Sequence, residues 1–191
     1  MRLIFLGPPG AGKGTQATIL AKQWDVPHIS TGEILRQAIA AKTELGLKAE
    51  AHVASGELVP DGIAIALMRE RFGQQDAQKG WILDGFPRNV PQAHALDQLL
   101  EILGQPYGQV INFKVSKEAL VKRLLERGRK DDEELIARKR LDVYEKETLP
   151  LIEFYKRRRC LIATNGNKSV EEIAFNLKEL VAKEMQFRVS L

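Results

Sequence analysis

Gly7-Pro8-Pro9-Gly10-Ala11-Gly12-Lys13-Gly14-Thr15 is the stretch that decides the fold. Before it lies Arg2–Leu6 (RLIFL), a continuous apolar run of the kind a buried parallel strand shows. After it, Thr15–Trp24 has helical spacing, with Ala17, Leu20, Ala21 and Trp24 on one face. Strand, glycine loop and helix in that order are the context of a P-loop. Glycines accept positive φ and let backbone N–H groups close on an anion. Those N–H groups and the helix N-terminus favour negative charge, and Lys13 adds a mobile cation for outer phosphates. One position departs from the strict pattern. Gly14 stands where Ser or Thr normally follows the lysine, and Thr15 comes one place later. The bland alternative, a glycine-rich turn that merely links strand to helix, leaves so many constrained positions unexplained.

Outward from this loop, short β-type runs alternate with longer helix-type segments. Strands are predicted near Pro27–Ser30 and at Trp81–Asp84 (WILD), Gln109–Phe113 (QVINF) and Cys160–Thr164 (CLIAT). Helices are predicted over Thr31–Ala41, Leu45–Ser55, Asp61–Phe72, Pro91–Leu103, Lys117–Arg127, Asp132–Tyr155 and Val170–Met185. This alternation implies an α/β fold of three layers. Five parallel strands are joined by right-handed crossovers and flanked by helices on both faces. Ligands of such sheets sit beyond the carboxyl ends of the strands.

Composition bounds the rest. The 191 residues suit one domain, and 28% charged residues with 44% hydrophobic ones exclude a disordered or fibrous chain. No apolar run approaches the ~20 residues that span a bilayer. Leu3–Leu6 is too short for a signal-peptide core. A single cysteine, Cys160, excludes an internal disulfide and a cysteine-clustered zinc site. A soluble protein of a reducing compartment, the cytoplasm, is therefore expected, without membrane contact. Net charge is +4, from 29 Lys+Arg against 25 Asp+Glu, with acids and bases interspersed. So small an excess reads as a charged soluble surface before it reads as a nucleic-acid footprint. Lys156-Arg157-Arg158-Arg159 closes a long predicted helix, where cations complement the dipole. Cys160 reads as a small buried hydrophobe, and Trp24 and Trp81 as core. His28, His52 and His94 fall in no motif and read as structural or surface residues.

Several segments carry a resemblance to a known family. The GxPGxGKGT form of the loop resembles adenylate kinases and their nucleoside monophosphate kinase relatives. Ile29-Ser30-Thr31-Gly32-Glu33-Ile34-Leu35-Arg36 is similar to the family's first monophosphate-binding segment, and Gly56-Glu57-Leu58-Val59-Pro60-Asp61 to its second. Asp84-Gly85-Phe86-Pro87-Arg88 matches the signature at the end of the third strand. Arg123, Arg127, Arg129 with Asp131 and Asp132, and Arg140 are similar to the family's lid and hinge arginines. The match runs from residue 3 to about residue 165.

The resemblance implies reversible transfer of a phosphoryl group from ATP to AMP, giving two ADP, within one kinase domain spanning 1–191. Its core would be 1–29, 60–127 and 133–191, its monophosphate-binding segment 30–59 and its lid 128–132. ATP would be held by Gly10, Ala11, Gly12, Lys13, Gly14, Thr15, Arg123, Arg127, Gly166 and Lys168. AMP would be held by Thr31, Gly32, Arg36, Glu57, Leu58, Val59, Gly85, Arg88, Gln92, Arg129 and Arg140. Catalysis would rest on Lys13, Arg88, Arg123, Arg129 and Arg140. Planar guanidinium forks pair with phosphate oxygens bidentately, and cationic positioning supplies most of the catalysis of phosphoryl transfer. Mg²⁺ is expected with ATP, its waters oriented by Asp84, and no zinc. No general base is required, because the attacking monophosphate oxygen is already ionised near neutral pH.

The base is read by few side chains. An amide offers one donor and one acceptor, so Gln92 suits adenine. Gln92 and Thr31 resemble adenylate kinases, whereas UMP and CMP kinases tend to carry Asn and Ala there. Asn89 points the other way, since pyrimidine kinases often have Asn after the arginine. The ATP base is expected between Arg123 and the loop Asn165-Gly166-Asn167-Lys168. The lid departs from the family: only Gly128 separates Arg127 from Arg129, where long forms insert a domain, often with zinc-binding cysteines. Two alternatives remain: a UMP/CMP kinase, or a non-catalytic nucleotide- or nucleic-acid-binding module. The expected partners are ATP, AMP and ADP, with no nucleic acid, and a monomer is expected.

Overall fold

The computed structural model describes residues 1–129 and 132–189, with side chains through Lys183. Five strands form one sheet: β1 (Arg2–Leu6), β2 (His28–Ser30), β3 (Trp81–Asp84), β4 (Gln109–Lys114) and β5 (Leu161–Asn165). Their order is β2-β3-β1-β4-β5, and every pairing is parallel. The helices are α1 (Lys13–Trp24), α2 (Thr31–Ala40), α3 (Glu44–Ser55), α4 (Asp61–Phe72), α5 (Val90–Ile102), α6 (Lys117–Arg127), α7 (Glu134–Val143), α8 (Pro150–Arg157) and α9 (Val170–Val189). The expected three-layer α/β architecture is the one observed.

The alternation of side chains along each strand builds two cores. Ile4, Leu6, Trp81, Leu83 and Val110 face one layer of helices. Leu3, Phe5, Ile82, Ile111 and Phe113 face the other. Both faces are buried, which is why these strands read as unbroken apolar runs rather than as alternating ones. β1 lies between β3 and β4, so the connections carry the chain to β2 and β3 on one side of it and to β4 and β5 on the other. That crevice, at the carboxyl ends, is where such folds bind ligands. The register puts Asp84 there, level with Phe5 on one side and Ser30 on the other.

The predicted helix Asp132–Tyr155 is in fact interrupted. α7 ends at Val143, a π-helical turn occupies Tyr144–Thr148, and α8 starts at Pro150. Proline has no N–H and its ring crowds the carbonyl four residues back, so an unbroken α-helix cannot pass through it. The chain widens instead, with the Leu149 N–H donating to Tyr144 O at 2.9 Å. The remaining predicted elements lie within a few residues of the observed ones. β5 is displaced by one residue, to Leu161–Asn165, which leaves Cys160 only partly buried ahead of it. Trp24 is likewise only partly buried, against the second core, whereas Trp81 is fully buried. The basic run does close a helix: Arg158 pairs with Asp97 and lies over Phe154. No helix among the described residues is long and apolar enough to cross a membrane.

Candidate active site

The glycine loop is shaped by close approach. Gly7, Gly10 and Gly12 have φ of 146°, 82° and 88°, where side chains are disfavoured. A Cβ on Gly10 would stand 2.9 Å from Leu120 O, and one on Gly7 3.0 Å from Phe113 O. The loop is thus pressed onto α6 and the end of β4. α1 then starts at Lys13 without a side-chain cap, so its first N–H groups face the crevice as anion donors.

Lys13 Nζ donates to Gly7 O at 2.8 Å and to Pro8 O at 2.9 Å, which folds the side chain back over the loop. Burial pulls its pKa down to about 8; Asp84 opposes this, while Arg88, Arg140 and Arg127 add to it. Asp84 closes the other side. Burial would raise its pKa, yet His28, Lys13 and Arg88 outweigh burial and hold the carboxyl below its ordinary value. His28 Nε2 stands 3.7 Å from Asp84 Oδ2. A Cβ on Gly14 would stand 3.4 Å from the same oxygen, so the carboxylate lies within contact distance of the loop.

One cavity of about 1040 Å³ lies over the carboxyl ends of the strands. Its wall carries Lys13, Arg36, Arg71, Arg88, Arg123, Arg127, Arg129, Arg140 and Lys168, against Glu33, Glu57 and Asp84. So many cations around one crevice select polyanions. Without those nine bases and three acids, the chain's 29 and 25 leave a slightly acidic remainder. Of the residues predicted for the site, Gly10, Ala11, Gly12, Lys13, Gly14, Thr15, Arg123, Arg127 and Lys168 all line this cavity. So do Thr31, Gly32, Arg36, Glu57, Leu58, Val59, Gly85, Arg88, Gln92, Arg129, Arg140 and Asp84. Gly166 is not in the wall; its carbonyl accepts from Arg123 Nη1 at 2.8 Å, which ties α6 to the loop after β5. Asp131 lies outside the described residues.

The arginines come from separate elements and are held by named partners. Arg36, on α2, donates to Glu33 Oε2 at 2.8 Å. Arg88 Nε donates to Gly85 O at 2.8 Å, and Arg88 O accepts from Thr148 Oγ1 at 2.8 Å. The π turn delivers that threonine. Asp132 gathers the arginines of α6, α7 and the segment between them: its carboxylate accepts from Arg127 at 2.7 and 2.6 Å, from Arg140 at 3.0 Å and from the Arg129 N–H at 3.2 Å. The Asp132 side chain is 1% exposed. Burial works to raise its pKa, but Arg127, the Arg129 N–H and Arg140 prevail and lower it.

Gln92 is buried and fully oriented. Its Oε1 accepts from the Arg88 N–H at 2.8 Å and its Nε2 donates to Asp61 Oδ1 at 2.7 Å. Asn89 caps α5 by accepting from the Gln92 N–H at 2.8 Å, and donates to the same Asp61 oxygen at 3.0 Å. That local duty explains Asn89 without any pyrimidine. The segment that ends at Glu57 docks on α7: Lys139 donates to Glu57 Oε1 at 2.7 Å, and a Cβ on Gly56 would stand 3.1 Å from Arg140 Cγ.

Sequence reasoning missed Thr148, Lys139 and His28, and it placed Asp61 in the second monophosphate segment without giving it a role. An acidic residue at the start of α4 and a threonine before Pro150 carry only helix-end signals. His28 was read as structural or surface, and the structure sets it in the cavity wall beside Asp84.

A phosphate loop, a second anion clamp and a ring of arginines on one P-loop sheet define a nucleoside monophosphate kinase. The family model described as adenylate kinase matches residues 5–160. The chain belongs to the adenylate kinase family, and adenylate kinase activity is its function. It is similar to "Adenylate kinase 1" of Nostoc sp., 55% identical over 177 residues that cover 93% of this chain and 96% of that protein. It is also similar to "Adenylate kinase 1" of Synechocystis sp., 55% identical over 179 residues, 94% of this chain and 96% of the other. "Adenylate kinase" of Xanthomonas euvesicatoria pv. vesicatoria is 48% identical over 187 residues, 96% of this chain and all of that protein.

Proposed function

We propose that this chain transfers the γ-phosphoryl group of ATP to AMP through a division of labour among its arginines. The single observation that carries the reading is their convergence on one cavity from α2, the β3–α5 loop, α6, the segment after it, and α7. The P-loop and Lys13 hold the triphosphate, with Arg123 and Gly166 beside the ATP base. Arg36 and Arg88 clamp the monophosphate, and Gln92 with Thr31 reads adenine. Arg123, Arg129 and Arg140 close over the triphosphate and the group in transit, and Arg127 joins Arg123 on the ATP side.

A monophosphate oxygen of AMP attacks the γ-phosphorus. The bond to the β–γ bridging oxygen breaks, and ADP leaves with that electron pair. No proton moves. Two polyanions must be held in line despite their repulsion, so positioning and cationic stabilisation carry the rate. Mg²⁺, bound with ATP, would supply charge neutralisation for the phosphates. Of the three carboxylates in the cavity wall, Glu33 is paired with Arg36 and Glu57 with Lys139; Asp84, beside the P-loop, is the one that would orient the waters of an ion that keeps most of its hydration. Residues 30–59 serve as the mobile monophosphate segment and 128–132 as the minimal lid, of which 130 and 131 lie outside the described residues.

Lys13→Ala and Arg88→Ala test the assignment. Each removes a transition-state donor, at a cost of roughly 100- to 1,000-fold in kcat. Retention of more than about a tenth of native activity by either would remove that residue from its role.

A further inference from the structure

We propose that Asp61 is a specificity-determining positioning residue, fixing the Gln92 amide in the orientation that accepts a 6-amino purine and rejects a 6-oxo purine. The inference rests on the reading of Gln92 as the side chain that meets the AMP base.

Asp61 is the first residue of α4 and does not line the cavity; Gln92 does. An acidic residue in the first turn of a helix ordinarily complements the dipole. Here the side chain is turned to the start of α5, where Oδ1 accepts from both Gln92 Nε2 and Asn89 Nδ2, at 2.7 and 3.0 Å. The two partners of the Gln92 amide have fixed and opposite signs. A carboxylate can only accept, and the Arg88 backbone N–H can only donate. The NH₂ group must therefore face Asp61 and the oxygen must face Arg88. A flipped amide would set oxygen against carboxylate and NH₂ against N–H, replacing two hydrogen bonds with two repulsions.

With those two bonds made, the amide retains one lone pair on Oε1 and one hydrogen on Nε2. Those are side by side, an acceptor next to a donor. Adenine offers the complement, an N6 amino donor beside the N1 acceptor. A 6-oxo purine offers the reverse, a carbonyl acceptor beside an N1–H donor. An amide free to turn could serve either base. Asp61 removes that freedom from behind, without touching substrate. Asn89 completes the arrangement, because its cap bond to the Gln92 N–H sets the backbone on which the amide stands.

The test is steady-state kinetics with ATP and either AMP or inosine monophosphate, for native enzyme, Asp61→Ala, Asp61→Asn and Gln92→Leu. Loss of the acceptor in Asp61→Ala is expected to lower the AMP-over-IMP ratio of kcat/KM about tenfold, the scale of one hydrogen bond. The loss falls on KM for AMP rather than on kcat. Asp61→Asn keeps an oxygen in place and is expected to restore the ratio to within about threefold of native. A native ratio in Asp61→Ala overturns the proposal. So does an equal loss in both Asp61 variants with kcat falling alongside, which marks a structural strut. Gln92→Leu separates the two levels. If it leaves AMP use and the ratio intact, the reading of Gln92 itself fails. If it collapses the ratio while Asp61→Ala does not, only the role of Asp61 fails. Hydrogen exchange at the Gln92 side-chain amide of the native enzyme needs no variant. Slowed exchange of the hydrogen bonded to Asp61 is expected, and two hydrogens exchanging alike at the rate of an exposed amide overturn the lock.

Discussion

ATP binding should draw a proton from solvent at mildly alkaline pH. Lys13 is pulled down to about 8 by burial and by Arg88, Arg140 and Arg127, with only Asp84 opposing. A triphosphate seated in the P-loop places opposite charge beside the ammonium, which favours its charged form. Before ATP binds, about a tenth of Lys13 is neutral at pH 7, about half at pH 8 and about nine-tenths at pH 9. Those fractions are the proton uptake expected on binding. Between pH 8 and 10, ATP affinity should accordingly fall by up to about tenfold per unit. The same shift has a sign for stability. Over the range from about 8 to the ordinary lysine value, the unfolded chain binds the proton and the native chain does not. The Lys13 contribution to stability therefore rises with pH across that range, and below it the buried charge is a constant cost. Titration calorimetry of ATP without AMP, in two buffers of different ionisation enthalpy, reads the uptake directly. Lys13→Met should abolish it. Uptake below about a tenth of a proton at pH 9, or unchanged uptake in Lys13→Met, would mean that Lys13 is not the group that titrates on ATP binding.

Two further outcomes follow from the lid side. Asp132→Asn removes the buried charge that holds Arg127 and Arg140 together. It should destabilise the fold by about 3 kcal/mol, lower Tm by roughly 6–12 °C and reduce kcat more than tenfold. Because the native carboxyl is held below its ordinary value, its contribution is present above the unfolded pKa and is lost as pH falls through the folded one. The acid limb of the stability profile should therefore flatten in Asp132→Asn. An unchanged Tm by calorimetry, or an unchanged acid limb, contradicts the assignment. The second outcome concerns water. If the lid is as short as the proposed 128–132, it has too few residues to exclude water well, so ATP without AMP should be hydrolysed at a measurable rate. No hydrolysis above background in a phosphate-release assay, beside full transferase activity, would show that the short lid seals the site.

The sheet and the phosphate loop were legible because their signals are local. A buried parallel strand, glycines at fixed spacing and an amphipathic helix each occupy one stretch of chain. The arginines were legible through the resemblance, and all of them reach the cavity. What escaped is pairing between distant segments. Asp61 meets Asn89 and Gln92 across 28 and 31 residues, and Thr148 meets Arg88 across 60. No periodicity encodes such contacts. The break before Pro150 was visible as a proline, yet the apolar spacing on either side of it suggested one helix. Asn89 shows the opposite error. It was weighed as a hint about the base, although an Asn three residues before Gln92, ahead of an apolar helix, carries an ordinary N-cap signal.

A panel of monophosphates asks whether this cavity holds ATP and AMP and whether Gln92 reads the acceptor base. Initial rates with Mg·ATP and AMP, UMP, CMP or GMP should give kcat/KM for AMP roughly 100-fold or more above each of the others. A preference for UMP or CMP over AMP would show that Gln92 does not select adenine and that this is a pyrimidine nucleotide kinase.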